Sequence, residues 1–159
     1  MLSELERSRI AHEAGQVPDR RAAVSEALMI VQESRGWVSD EALADVAGAL
    51  GLTREEIESV ATAFELVFRR AVGKHVLLVC DSVSCWIKGS DSLFSHLKSA
   101  LGIGPGETTG DGLFTLLPAG CLGACEQAPA MSVDGVLYGN LTPGRIDEIL
   151  ARLKEGRNG

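Results

Sequence analysis

Up to about residue 70, apolar side chains recur every three or four positions, the period of helices with one buried face. A first helix is expected over residues 3–14, with Leu5 and Ile10 on its apolar side and with Gly15 and Pro18 interrupting it. A second, stronger helix covers DRRAAVSEALMIVQES, residues 19–34. Val24, Leu28 and Val31 form its stripe, and Gly36-Trp37 ends it, with Trp37 as a packing anchor between helices. Ser39 opens a third helix, DEALADVAGAL, with Leu43, Val46, Ala47 and Leu50 inward and Gly51 as its stop. Thr53-Arg54-Glu55-Glu56 has the form of a capping box. The helix behind it is predicted to reach about residue 68, burying Ile57, Val60, Ala61, Phe64 and either Val67 or Phe68. Arg69-Arg70, read as solvated surface, and then Gly73 mark the end of this helical unit.

At residue 75 the pattern changes. HVLLVC is a continuous aliphatic run, expected to be a buried strand that delivers Cys80 at its end. The loop DSVSCWIKG follows and carries Cys85. Ser90 is then a candidate N-cap for a helix with Leu93, Phe94, Leu97 and Leu101 inward. LFTLL, residues 113–117, is a second strand leading to a loop with Cys121 and Cys125. AMSV and VLYG form a hairpin around Asp134-Gly135, a dipeptide suited to positive φ angles. Thr142-Pro143 starts the last helix, whose stripe is Ile146, Ile149, Leu150 and Leu153, and Gly156 ends it. A helical crossover between the first two strands makes them parallel. The expected fold class is α+β, with a small N-terminal helical bundle (1–72) followed by a thioredoxin-like domain (73–159). Both cysteine pairs are expected just past strands at the same end of the sheet, where open α/β sheets place their chemistry.

Composition narrows the function more than the fold. A net charge of -7 offers no basic face for nucleic acid or anionic lipid. No stretch approaches the roughly 20 apolar residues of a membrane span, and the charged N-terminal segment lacks a secretory pattern. These features point to a reducing cytoplasm, in which four cysteines suggest metal or redox chemistry rather than staples. No Gly-x-Gly-x-x-Gly fingerprint is present, so a dinucleotide site is expected elsewhere.

Three chemistries fit Cys80, Cys85, Cys121 and Cys125. Structural zinc takes four thiolates in a tetrahedron, most often from pairs with two residues between them. Dithiol redox chemistry favours Cys-x-x-Cys at a helix start. The pairs here enclose four and three residues, and two wide loops suit the longer span of a [2Fe-2S] cluster, which we favour. His12, His75 and His96 lie outside these loops, so a Rieske centre with two His ligands is not expected. Gly120 and Gly123 would let backbone approach bridging sulfides. Trp86, Ile87, Leu122, Ala124 and Met131 would form a dry lid, and Asp81 and Glu126 would lower the potential.

Four segments carry a family resemblance: RGWVSDEALADVAGALGL, VGKHVLLVCDSVSCWIKG, GPGETTGDGLFTLLPAGCLGACEQAPAM and NLTPGRIDEIL. Across nearly its whole length the chain resembles the 24-kilodalton, thioredoxin-like [2Fe-2S] ferredoxin subunit of respiratory complex I, NADH:quinone oxidoreductase. The resemblance implies that Cys80, Cys85, Cys121 and Cys125 ligate one [2Fe-2S] cluster. It implies that FMN and NADH belong to a partner flavoprotein subunit of the 51-kilodalton type, beyond which lies a further iron-sulfur subunit. It also implies a cytoplasmic place in the peripheral arm of a membrane-associated complex, without insertion in the membrane. Related subunits serve NAD-dependent formate dehydrogenases and NAD-linked hydrogenases, and a zinc-stabilised interaction module or a thiol oxidoreductase remain the readings of another class. One segment departs from the family pattern. Ala61-Thr62-Ala63-Phe64 and Val67 stand where larger or hydroxylated aromatics are usual, so packing of the fourth helix or its contact with a partner is expected to differ.

Overall fold

The computed structural model describes residues 1–156. Contacts divide it into two compact units, Met1–Ala71 and from Val72 onward.

The first unit consists of α1 (Glu4–Gln16), α2 (Val24–Arg35), α3 (Asp40–Leu50) and α4 (Arg54–Ala63), with one tight turn at Arg20–Ala23 before α2. Its core gathers Ile10, Val24, Leu28, Val31, Leu43, Val46, Leu50 and Ile57. Two capping boxes, Ser3–Glu6 and Thr53–Glu56, start α1 and α4 by satisfying backbone donors that would otherwise be unpaired.

The helix α1 runs through Gly15, and Leu5 is exposed. The capping box sets the helix phase so that Glu6 and Ile10, four apart, face inward instead. Val38 is the buried anchor after α2, while Trp37 is only half-buried. The helix α4 stops at Ala63, and Phe64 is exposed. The cause is Gln32, a buried side chain that accepts from the Phe68 N–H (2.6 Å) and donates to the Leu66 carbonyl (2.7 Å). Phe68 in turn accepts from the Val38 N–H at 2.8 Å. These bonds hold residues 66–68 out of helical conformation, so tertiary pairing overrides the period of the sequence. Arg69 is no free surface charge either, since it bonds the Val38 carbonyl, Asp40 and Glu58.

The second unit is a mixed sheet in the order β2-β1-β3-β4, built from β1 (His75–Cys80), β2 (Phe114–Ala119), β3 (Met131–Val133) and β4 (Val136–Tyr138). As expected, β1 and β2 are parallel, and Cys80 pairs with Ala119 in register. The strand β3 runs antiparallel to β1 and to β4, and Asp134 (φ 51°) and Gly135 (φ 83°) make the hairpin. The segment expected to be a loop around Cys85 is a one-turn helix, α5 (Val83–Ile87). Helices α6 (Ser90–Leu101) and α7 (Pro143–Glu155) supply Leu93, Leu97, Ile146, Ile149 and Leu150 to the alternate residues Leu77, Val79, Phe114, Leu116, Met131 and Val133. Gly89 rather than Ser90 precedes α6. Strand alternation puts Leu77 and Val79 of β1 on the face that packs against α6 and α7, and Val76, Leu78 and Cys80 on the other. Pro118, which lacks an N–H donor, is tolerated because β2 is an edge strand.

Candidate metal centre

All four sequence-predicted site residues lie past or at the C-terminal ends of the parallel strands. Cys80 is the last residue of β1, and Cys85 sits within α5 just beyond it. Cys121 stands two residues beyond the end of β2, and Cys125 starts the tight turn Cys125–Gln127. The backbone holds the two loops side by side. The Asp81 N–H donates to the Ala119 carbonyl at 3.0 Å and the Cys80 N–H to the Ala130 carbonyl at 3.1 Å. The end of β1 is thus clasped between the segments before and after the second cysteine loop.

The two pairs have different surroundings. Cys80 and Cys85 are buried in a small cluster of their own with Ala124, Ala128 and Ala130, and half-buried Leu122 packs against it. Cys121 and Cys125 are exposed. Burial disfavours ionisation of the Cys80 thiol, but the backbone N–H groups of Leu122 and Ser82 and the Cys85 side chain outweigh it, so its pKa falls below the usual thiol value. Burial and the neighbouring Cys80 push the Cys85 thiol up, against an opposing N–H from Ala130. Cys125 adds a smaller push in the same direction. Leu122 lies between Cys121 and Cys125, so the second loop sends an N–H to the sulfur of the first.

Two glycines shape the second loop. Gly123 adopts a left-handed conformation (φ 72°) with open space where a Cβ would stand, so backbone freedom is its role there. Gly139 is required by close approach, because a Cβ would lie 2.4 Å from the Gln127 Cβ and 2.9 Å from its carbonyl oxygen. Its neighbour Asn140 donates from its N–H to that carbonyl at 2.6 Å, tying the exit of the cysteine loop to the approach to α7.

Most of the expected lid lies elsewhere. Trp86 and Ile87 are exposed on the outer side of α5. Met131 pairs with Val79, one residue before Cys80, and belongs to the aliphatic core on the other face. Only Leu122 and Ala124 of that set pack against Cys80 and Cys85. Ala128, Ala130 and Gly139 were not singled out by sequence, and the run Ala-Pro-Ala after the second pair was the one compositional signal for the first two. Asp81 and Glu126 are exposed beside their cysteines. His75 and His96 pair with Asp134 (2.6 Å) and Asp147 (2.7 Å), away from the loops. Among the described residues, no three His, Cys, Asp or Glu side chains gather at a point that would hold a single metal ion.

Cys80 and Cys85, the N–H groups of Leu122, Ser82 and Ala130 and a lining of Leu122 and alanines make surroundings suited to a sulfur-rich anionic group, and Cys125 is near enough to act on Cys85. Comparisons with known proteins bear on which group. The family model for the thioredoxin-like [2Fe-2S] ferredoxin matches residues 10–154. The E subunit of the NADH-quinone oxidoreductase of Pseudomonas aeruginosa is 46% identical over 150 residues, covering 94% of this chain and 90% of the relative. Its counterpart in Escherichia coli strain K12 is 47% identical over 153 residues, covering 96% and 92%. Among solved structures, an NAD+-reducing [NiFe]-hydrogenase in the air-oxidised state superposes with a TM-score of 0.69 at 26% identity, over 81% of this chain. This chain spans only 23% of that hydrogenase chain.

Proposed function

Because this chain belongs to the thioredoxin-like [2Fe-2S] ferredoxin family, we infer that it is the electron-transfer subunit of an NADH:quinone oxidoreductase, carrying one [2Fe-2S] cluster. The observation that carries the reading is near-full-length similarity to the E subunits of two such enzymes, together with four thiols grouped at one end of the sheet. Cys80, Cys85, Cys121 and Cys125 are the proposed ligands. When bound, the cluster supplies reversible one-electron chemistry at iron bridged by sulfide. The chain's own residues do the rest. Cys80 and Cys85 would hold the cluster from within the packed domain, and Cys121 and Cys125 from the exposed loop. The N–H groups of Leu122, Ser82 and Ala130 offset negative charge on sulfur. Leu122, Ala124, Ala128 and Ala130 keep water from the buried pair.

The chain exchanges electrons with the flavin of an NADH- and FMN-binding flavoprotein subunit, beyond which an iron-sulfur subunit continues the path. Its place is the cytoplasmic, peripheral arm of a membrane-associated assembly. No helix among the described residues is long and apolar enough to cross a membrane.

Anaerobically prepared protein should be red-brown, bleach on reduction, contain two irons per chain, as a [2Fe-2S] cluster requires, and give a paramagnetic signal only when reduced. Zinc in place of iron would overturn the cluster assignment. The enzyme copurified with the chain should reduce quinone with NADH. The hydrogenase superposition fits a second parent enzyme only loosely, and NAD+ reduction by hydrogen, without quinone reduction, would select it.

A further inference from the structure

We propose that the outer side of α5, formed by Val83, Trp86 and Ile87, is the anchor by which this chain docks on its flavin-bearing partner. The proposal rests on the functional reading above and adds the surface that serves it.

Hydrophobic residues of a helix normally face a core. In α5 the arrangement is reversed. Cys85 points inward and is buried, while Val83, Trp86 and Ile87 are 68%, 60% and 70% exposed. Two other large hydrophobics of this unit are similarly exposed, Val136 and Leu137 on β4, at the opposite end of the sheet order from β2. Three large apolar side chains within five residues make a patch that water covers poorly.

Trp86 is also held in place. Its indole N–H donates to the Asp91 carboxylate at 2.8 Å, across the connection from α5 to α6. An exposed tryptophan fixed by its own chain loses little freedom on binding, which is the property of an interface hot spot. The patch adjoins Cys85 in sequence, so whatever covers it lies beside the thiols and can exchange electrons with a group held there.

Charge selects the occupant. The cysteine-bearing segments, residues 80–91 and 119–131, carry Asp81, Asp91 and Glu126 against Lys88 alone. Asp81 and Glu126 are exposed beside Cys80 and Cys125. A second copy of this acidic chain, net charge -7, would bring like charges together. The complementary surface is an apolar socket with a basic rim on the flavin-bearing subunit.

The test uses the full chain coexpressed with the NADH- and flavin-binding subunit of the same enzyme, with affinity measured by titration and cluster content by visible absorption. Trp86→Ala and Ile87→Ser should each weaken the complex by about tenfold or more and leave the cluster absorption unchanged. Val136→Ser with Leu137→Ser on β4 should change affinity by less than about threefold. Raising salt should weaken the wild-type complex. If the complex forms and the α5 variants bind as tightly as wild type, the docking proposal falls while the functional reading stands. If the wild-type chain holds its cluster but forms no complex, the functional reading falls as well. If the α5 variants abolish a homodimer and leave flavoprotein affinity intact, the occupant is a second copy and the proposal is overturned.

Discussion

The two units treat their buried reactive groups in opposite ways. In the helical unit the buried carboxylate of Glu6 is fully answered from within. Arg35 donates to both oxygens at 3.0 Å, Ser34 Oγ donates at 2.5 Å and the Ser3 N–H at 2.7 Å. The Arg35 guanidinium, outweighing the opposing effect of burial and aided by Ser34 and Ser3, holds its pKa far below the usual carboxylate range. In the sheet unit the buried Cys80 and Cys85 are only partly answered. They contact one another and a few N–H groups, and their counterparts Cys121 and Cys125 are open to solvent. A buried polar group with every valence occupied fixes a fold. Buried donors that converge without completing one another mark the place where a ligand belongs.

The largest effect should come from the thiols. Alanine at any of Cys80, Cys85, Cys121 or Cys125 is expected to remove most of the cluster absorption, more than about tenfold. The pairs should separate in the apoprotein. Cys80→Ala or Cys85→Ala leaves a void in a packed cluster and should cost about 1–2 kcal/mol in urea denaturation. Cys121→Ala or Cys125→Ala should stay within about 0.5 kcal/mol. Equal losses in both pairs would erase the distinction drawn from burial.

Glu6→Gln tests the other side of the comparison. It leaves Arg35 without its counter-charge and should destabilise the helical unit by about 3 kcal/mol, with cluster absorption unchanged. The sign of the pH dependence follows from the depressed pKa. The Glu6 contribution is fully present above the ordinary carboxylate range, near pH 4.5, and is lost as pH falls below it toward the folded-state value. Acid unfolding of wild type and Glu6→Gln should therefore converge at low pH. Parallel curves would show that Glu6 carries no such linkage.

A smaller contrast should appear on alkylation of the apoprotein. Cys121 and Cys125 should be modified about tenfold faster than Cys80 and Cys85, because access limits the buried thiols even where the Cys80 pKa is lowered. Peptide mapping after a short pulse of iodoacetamide gives the order, and faster labelling of Cys80 would mean that its loop opens freely.

How much of this was legible follows the same division. Periodicity found the longer helices, the strands and the Asp134-Gly135 hairpin, because those features depend on near neighbours, and the helical crossover gave the parallel pair. It failed where a distant side chain intervened. Gln32 captures residues 66–68 across more than thirty positions, and no local pattern announces that. The cysteines were legible as a set because their spacing is itself the signal. The lid was not, since hydrophobicity alone says nothing of direction. Trp86 and Ile87 were expected inside and lie outside, because the single turn of α5 spends its inward position on Cys85. Gly139 reads as an ordinary turn residue until its contact with Gln127 is seen.

The smallest expected effect concerns charge beside the proposed cluster. Asp81 and Glu126 each follow a cysteine directly, and both are exposed. A carboxylate near the cluster opposes the added electron, so Asp81→Asn and Glu126→Gln should both raise the midpoint potential. Water screens exposed charges, which keeps each interaction near 0.5–1 kcal/mol, or roughly 20–40 mV for one electron. The structure ranks the two. Asp81 extends from the end of β1 and acts on Cys80 directly, opposing its ionisation, whereas the Glu126 carboxylate accepts from the Gln127 side chain at 3.1 Å. Asp81→Asn should therefore give the larger rise. Redox titration of the single variants and the double variant at low and high salt would check this. A larger shift from Glu126→Gln would mean that the exposed pair, not the buried one, lies nearer the iron that takes the electron.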